Sequence, residues 1–383
     1  NYDSFSATEY PRFARAYLSL AEQGKVPAAP QDYGAYAVWS SLRERAEHGG
    51  AQPPATGPGF SLLMPIYGPR PEHLRAALDS VLAQTCGDWE LCIADDASPG
   101  EETAGIIREY MARDRRIRAV FREENGRIAK ASNSALALAT KPWALLMDQD
   151  DLLAPEALEV MARAMEAAPG GRLFYSDEDK VSDTGARFNP HFKNNAWDWE
   201  LVAAQNFVCH LAAYRTERLR ALGGFREGFE GAQDHDLVLR YVTGLEGREL
   251  IHVPRVLYHW RAHAGSTAMH LGAKGYALES ARAAVRDWLA ASSPGSVPDE
   301  APVVQWVRVR HALPAARPLV SLLCQVPGPD FDLAGHARAL ARETAWPHES
   351  IYLCAAEDQK ILEGRLAALE ADGARARLCA VPA

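Results

Sequence analysis

The stretch Trp143-Ala144-Leu145-Leu146-Met147-Asp148-Gln149-Asp150-Asp151 runs from five apolar residues straight into three carboxylates. An apolar run this short, bounded by polar residues, reads as a strand buried on both faces. The charges at its end must then meet water or a ligand. The same pattern stands upstream, where Trp89-Glu90-Leu91-Cys92-Ile93-Ala94 ends on Asp95-Asp96-Ala97-Ser98. Two further strand-like runs cover 60–65 and 117–121, and helical patterns separate the four. The helix over 71–84 places Leu74, Ala77, Leu78, Val81 and Leu82 on one face, and 103–113 and 129–139 supply the other two. Strands alternating with helices imply βαβ units and a parallel sheet. Right-handed crossovers align the strand C-termini along one edge, where open α/β sheets bind ligands. Both acidic clusters fall on that edge, and crowded carboxylates there call for a counter-charge.

Beyond residue 170 the alternation breaks. Strands are expected at 173–176, running into Asp177-Glu178-Asp179-Lys180, at 206–214 and at 251–261. A helix opens near Asp234, and another covers 271–290. This half reads as α+β and should form the acceptor side. Residues 1–50 read as amphipathic helices, with Tyr36, Trp39 and Leu42 at helical spacing. Pro- and Gly-rich stretches at 48–59 and 292–298 mark boundaries.

Composition limits the function classes. The chain has 383 residues, more than one compact domain usually holds. With 48% hydrophobic and 24% charged residues it is neither disordered nor fibrous. Lys and Arg number 41 against 50 Asp and Glu, a formal charge of −9, so nucleic acid is not an expected partner. Six scattered cysteines form no C-x-x-C pair, which argues against zinc and for a reducing, cytoplasmic setting. No window of about 18 apolar residues suggests a membrane span. No signal-peptide pattern opens the sequence, which begins at Asn1 rather than Met, so a preceding segment is left open.

Five motifs now stand in order: Ser61-Leu62-Leu63-Met64-Pro65-Ile66-Tyr67, Asp95-Asp96-Ala97-Ser98, Asp148-Gln149-Asp150-Asp151, Gln233-Asp234-His235-Asp236-Leu237 and Tyr258-His259-Trp260-Arg261. Together they resemble the family 2 glycosyltransferases, of GT-A fold, over roughly residues 30–270. Tyr175-Ser176-Asp177-Glu178-Asp179-Lys180 and the Tyr-His-Trp-Arg ending are similar to bacterial O-antigen, capsule and surface-polysaccharide transferases.

The resemblance implies a Rossmann-like, mostly parallel sheet with helices on both faces. It also implies an inverting transfer from a UDP- or dTDP-sugar to a growing, lipid-linked cell-surface glycan. Asp148 and Asp150, with His259 as a third ligand or diphosphate contact, would hold Mn²⁺ or Mg²⁺, which suit oxygen donors and neutralise a departing diphosphate; His259 also reads as a satisfied structural residue. Donor contacts carried over are Pro65, Tyr67, Asp95, Asp96, Arg127, Lys130, Asn133, Asp148 and Gln149, with Asp96 facing the N3–H of the base. Asp95-Asp96 also reads as a helix-start turn, and Arg127 and Lys130 as a solvated one. Asp234 occupies the position of the family's base, with Asp236 as runner-up and helix capping as the bland reading. The family's usual Glu is Gln233 here, so no coupled carboxylate pair can form. Asp151, Asp177, Asp179, Trp260 and Arg261 are candidate acceptor or diphosphate contacts. Asp177-Glu178-Asp179 reads equally as a solvated acidic loop.

Residues 317–383 echo the transferase start. Ser321-Leu322-Leu323 matches Ser61-Leu62-Leu63, and Ile351-Tyr352-Leu353-Cys354 matches Leu91-Cys92-Ile93-Ala94, at one offset. That alignment puts Ala355-Ala356 at Asp95-Asp96. The expected organisation is a helical region and linker at 1–58, a GT-A domain at 59–290, a linker at 291–316 and a partial or degenerate second domain at 317–383. The expected site is cytoplasmic, with peripheral membrane association and contacts to other polysaccharide-assembly proteins left open. A sugar nucleotidyltransferase is the first alternative, and its glycine-rich loop is missing from Pro65-Ile66-Tyr67-Gly68-Pro69-Arg70. A non-catalytic sugar-binding protein is the second, and fits 317–383 better than the rest.

Overall fold

A computed structural model describes residues 57–194, 196–262, 275–301, 306–343, 346–371 and 376–381, with scattered positions from Arg12 to Leu42. Two compact units emerge, Asn1–His311 and Ala312–Ala383. The first runs β1 (Phe60–Ile66), α1 (Pro71–Leu82), β2 (Trp89–Asp95), α2 (Glu102–Arg113), β3 (Ile117–Phe121), α3 (Arg127–Leu138) and β4 (Trp143–Leu146). It continues with β5 (Leu152–Leu153), α4 (Ala157–Ala167), β6 (Leu173–Val181), β7 (Arg187–His191), α5 (Trp199–Ala204), β8 (Ala212–Arg215) and α6 (Thr216–Ala221). It ends with α7 (Gln233–Val242), β9 (Leu250–Arg261), α8 (Gly275–Ser292), β10 (Val297–Glu300) and β11 (Val307–Arg310).

A nine-stranded sheet has the order β3-β2-β1-β4-β8-β6-β9-β5, with β7 on β6. β3, β2, β1 and β4 run parallel, and β8 pairs antiparallel with β4 and β6. Strand side chains alternate between faces, and the sequence fills both. Phe60, Leu62 and Met64 join α1, α2 and α4 in one core, while Leu63 joins α3, α7 and α8 in the other. Strand order turns back between β1 and β4, which opens a crevice at their C-terminal ends.

Three expectations change. Within 206–214 only Ala212–Arg215 is strand; 206–210 form no regular element, and Cys209 sits at φ +37°, outside the extended region. The stretch 291–316 contains the β10–β11 hairpin. Leu42 is exposed, whereas Tyr36 and Trp39 are buried and stack at 5.7 Å, with Phe192 against Trp39. Most of 1–58, and the loop at 263–274, lie outside the described residues. Among those described, no helix is long and apolar enough to cross a membrane.

The second unit holds β12 (Val320–Gln325), α9 (Leu333–Glu343), β13 (His348–Ala355), α10 (Gln359–Ala371) and β14 (Ala376–Val381), with all three strands parallel. In the first unit Ser61 Oγ donates to Glu90 Oε1 at 2.6 Å, and Arg118 reaches Glu90 at 2.7 Å. In the second, Ser321 Oγ donates to Glu349 Oε1 at 2.6 Å, and Arg377 reaches Glu349 at 3.4 Å. Ser61 faces Glu90 across the strands as Ser321 faces Glu349. This polar rung corrects the sequence alignment of the second strand by one residue. Cys354-Ala355, not Ala355-Ala356, stand at Asp95-Asp96. Apolar strands match in either register, so only the rung fixes it.

Candidate active site

A cleft of about 400 Å³ opens over the ends of β1, β2 and β4, lined by Pro65, Tyr67, Asp96, Arg127, Asp148, Gln149 and Asp150. A narrower recess of about 60 Å³ is lined by His210, Phe225, Gln233 and Asp234, and it too borders on Pro65, Ile128 and Asp148. Asp148, half-exposed at the end of β4, therefore faces both compartments.

The loops that shape the cleft are tied to one another. Gln149 Oε1 accepts from Tyr67 N at 2.8 Å, which locks the β1 loop to the β4 loop. Ser98 Oγ accepts from Gly68 N at 2.9 Å. Asp96 is buried and accepts from Arg122 Nε at 2.6 Å and from Gly126 N at 2.9 Å. A carboxylate has about four lone-pair sites, so Asp96 retains room for another donor. Arg127 opens α3 at φ +64°, a left-handed conformation that a long side chain rarely adopts outside functional loops.

The acidic loop after β4 has three distinct members. Asp151 is fully buried, accepting from Tyr258 Oη at 2.6 Å and from Arg261 N at 2.7 Å. Burial, and then the charges of Asp148 and Asp150, push its carboxyl well above the usual carboxylate range. Arg261 Nε also donates to Asp150 O at 2.7 Å, so this arginine braces the loop. Asp148 and Asp150 offer hard oxygen donors to one cleft and crowd a third carboxylate, a donor set that fits Mg²⁺ or Mn²⁺. Among the described residues no three His, Cys, Asp or Glu side chains converge on a ready-made metal cage. Two aspartates completed by phosphate and water oxygens is a common arrangement for these ions.

His259 does not join Asp148 and Asp150. Its Nδ1 pairs with Asp179 Oδ1 at 2.6 Å. Asp179 also accepts from Tyr36 Oη at 2.6 Å and Arg187 Nε at 2.7 Å. Asp177 accepts from His252 Nε2 at 2.7 Å and from Lys193 N at 2.8 Å. Asp177, Glu178 and Asp179 are buried in β6 and line neither compartment, so they form neither a solvated loop nor a cleft wall. Lys193 Nζ, fully buried, pairs with Glu178 at 3.2 Å. Burial alone would raise the Glu178 carboxyl; Lys193 and then His191 outweigh it and hold it at about 2.

Other donor candidates have structural partners. Asp95 Oδ1 accepts from Ser98 N at 3.2 Å, the turn-forming alternative. Asn133 clamps the main chain of Phe225, accepting from its N and donating to its O, each at 2.8 Å. Lys130 pairs with Glu227 at 3.2 Å. Trp260 packs on the first core, with Lys180 Nζ 5.6 Å from its ring.

Asp234 lies in the first turn of α7 and receives Asn206 Nδ2 on Oδ2 at 2.9 Å. Asp236, two residues on, is buried between Arg226 and Arg240, which removes it as an alternative base. Gln233 Oε1 accepts from Gly231 N at 2.8 Å and so shapes the helix entry. Sequence reasoning missed His210 and Asn206, whose only signal was polarity inside an otherwise apolar run.

The architecture is a GT-A fold. The description "Glycosyl transferase family 2" matches residues 61–223, and the chain belongs to that family. It is 31% identical over 342 residues to the O-antigen biosynthesis protein RfbC of Myxococcus xanthus, covering 88% of this chain and 26% of that one. The relative named "Putative glycosyltransferase EpsE", of Bacillus subtilis, is 30% identical over 205 residues, covering 51% of this chain and 71% of that one. The fragment TarS 1–349 of S. aureus, crystallised with UDP-GlcNAc, superposes with a TM-score of 0.50 at 20% identity, covering 61% of this chain and 67% of the fragment. The chain spans about a quarter of the length of the first curated relatives it matches.

Proposed function

We propose that the first unit is an inverting, metal-dependent glycosyltransferase that moves a sugar from a UDP- or dTDP-sugar to a growing cell-surface glycan. The observation that carries this reading is that the two compartments share Asp148 in their walls, with Asp234 lining the recess. The outer cleft has room for a nucleoside diphosphate, with Asp96 and Tyr67 toward the base and Arg127 toward the phosphates. Asp148 and Asp150 would hold Mn²⁺ or Mg²⁺, which neutralises charge on the departing diphosphate. Asp234 takes the proton of the acceptor hydroxyl as its oxygen attacks the anomeric carbon from the opposite face. Asn206 fixes the carboxylate for that transfer. RfbC is an O-antigen biosynthesis protein, which supports a bacterial surface polysaccharide as acceptor.

The test is nucleotide release and glycan extension with UDP-, dTDP- and GDP-sugars, with and without Mn²⁺. Turnover of one donor class, dependent on the cation, is the expected result. Absence of both binding and turnover with every nucleotide-sugar overturns the reading.

A further inference from the structure

His210 stands in the inner recess with Asp148 and Asp234 and has no role in the scheme above. Its ring lies parallel to Tyr258, with centroids 4.6 Å apart and planes at 17°. Its main chain is held on both sides: N donates to Glu178 Oε2 at 3.2 Å, and O accepts from the buried Lys193 Nζ at 2.6 Å. Yet neither ring nitrogen has a hydrogen bond among the described residues. Nδ1 is buried without a partner, and Nε2 is 3.8 Å from Asp148 Oδ2, beyond hydrogen-bond length.

Three other histidines of this unit behave differently. His235 bonds Val202 O, His252 bonds Asp177 and His259 bonds Asp179, each within 2.7 Å. A histidine that only supports the core has its ring polar atoms satisfied. A ring held rigidly, with unfilled bonding capacity beside a cleft, has the properties of a preorganised ligand contact.

We propose that His210 is a contact for the transferred sugar and helps to select it. This rests on the nucleotide-sugar reading. The residues assigned to the nucleotide line the outer cleft, and the recess shares Asp148 with it. His210 lines the same recess as Asp148, where the diphosphate is placed, and Asp234, where the attacking hydroxyl is placed. Nε2 then hydrogen-bonds a sugar oxygen, and the face-on contact with Tyr258 sets the height of that bond.

Calorimetry in Mn²⁺ with UDP, dTDP and GDP, and with UDP-glucose, UDP-N-acetylglucosamine, dTDP-rhamnose and GDP-mannose, tests this on wild type, His210→Phe and His210→Gln. Phenylalanine keeps the stack and removes both nitrogens; glutamine keeps a donor. For the tightest wild-type donor, His210→Phe is expected to lose about tenfold in affinity while the free nucleotide stays within about twofold, and His210→Gln to regain part of the loss. If the phenylalanine variant does not fold, the glutamine variant carries the test, with a loss of about threefold confined to the nucleotide-sugar. Unchanged nucleotide-sugar affinity overturns the assignment, as does an equal loss for nucleotide and nucleotide-sugar. Failure of the wild type to bind any nucleotide overturns the donor reading, and this proposal with it.

Discussion

Asn206 Nδ2 donates to Asp234 Oδ2 at 2.9 Å, so the irregular segment before β8 and the first turn of α7 hold one carboxylate between them. Asp234→Asn keeps the size and removes the basicity. We expect kcat to fall by about 10²–10⁴-fold with donor affinity little changed. Steady-state transfer assays beside donor titrations check this, and near-normal transfer would remove Asp234 as the base.

Asp148 and Asp150 predict cation dependence. Chelation with EDTA should abolish transfer, and Mn²⁺ or Mg²⁺ should restore it. Asp150→Asn should raise the Mn²⁺ needed for half-maximal binding by about 10–100-fold. Manganese titration followed by its paramagnetic signal measures this without reference to turnover.

Lys193 and Glu178 predict a stability that depends on pH. The Glu178 carboxyl sits at about 2 in the fold, against an ordinary value of 4.5. Its stabilisation is therefore complete above 4.5 and is lost as the pH falls through about 2, a term on the order of 3 kcal/mol. Lys193→Met removes the main counter-charge of a buried carboxylate, leaving it His191 and the His210 N–H, and should cost about 3 kcal/mol at pH 7. That deficit should narrow on acidification, because the stranded carboxyl then takes up a proton. Urea unfolding of both proteins between pH 7 and 4 reads the difference.

Gly224 predicts a backbone effect on the site. It adopts φ +68°, and a Cβ there would lie 2.2 Å from Asn133 Oδ1. Gly224→Ala should destabilise by about 1–3 kcal/mol and break the clamp on Phe225. A lowered Tm, with a raised KM for the donor in the folded fraction, is the expected outcome.

The parallel half of the fold was legible because each strand is a short apolar run that stops on charge, and each helix carries one apolar face. Asp96, Asp148 and Asp150 of the cleft and Asp234 of the recess followed from the family resemblance that the ordered motifs carry. Asp177, Glu178 and Asp179 misled, because a run of acids looks solvated until its neighbours are known. Their partners His252, His259, Arg187 and Lys193 come from other parts of the chain, and the β6–β9 register brings two of them into place. His210 was hidden for the opposite reason: one polar residue in Phe207-Val208-Cys209-His210-Leu211 passes for part of a strand.

The Ser–Glu–Arg rung between parallel strands occurs in both units. In the first unit Glu90 also accepts from Thr140 Oγ1 at 2.8 Å and from Lys141 N at 3.3 Å, so it ties three strands to the turn before a fourth. The second unit retains Ser321, Glu349 and Arg377 at the same strand positions, while Cys354 and Ala355 replace the two acids. Within this chain the two units therefore match at a cross-strand polar triplet where their strand-end residues differ. One such triplet can pin the register of a parallel sheet whatever residues stand at its strand ends.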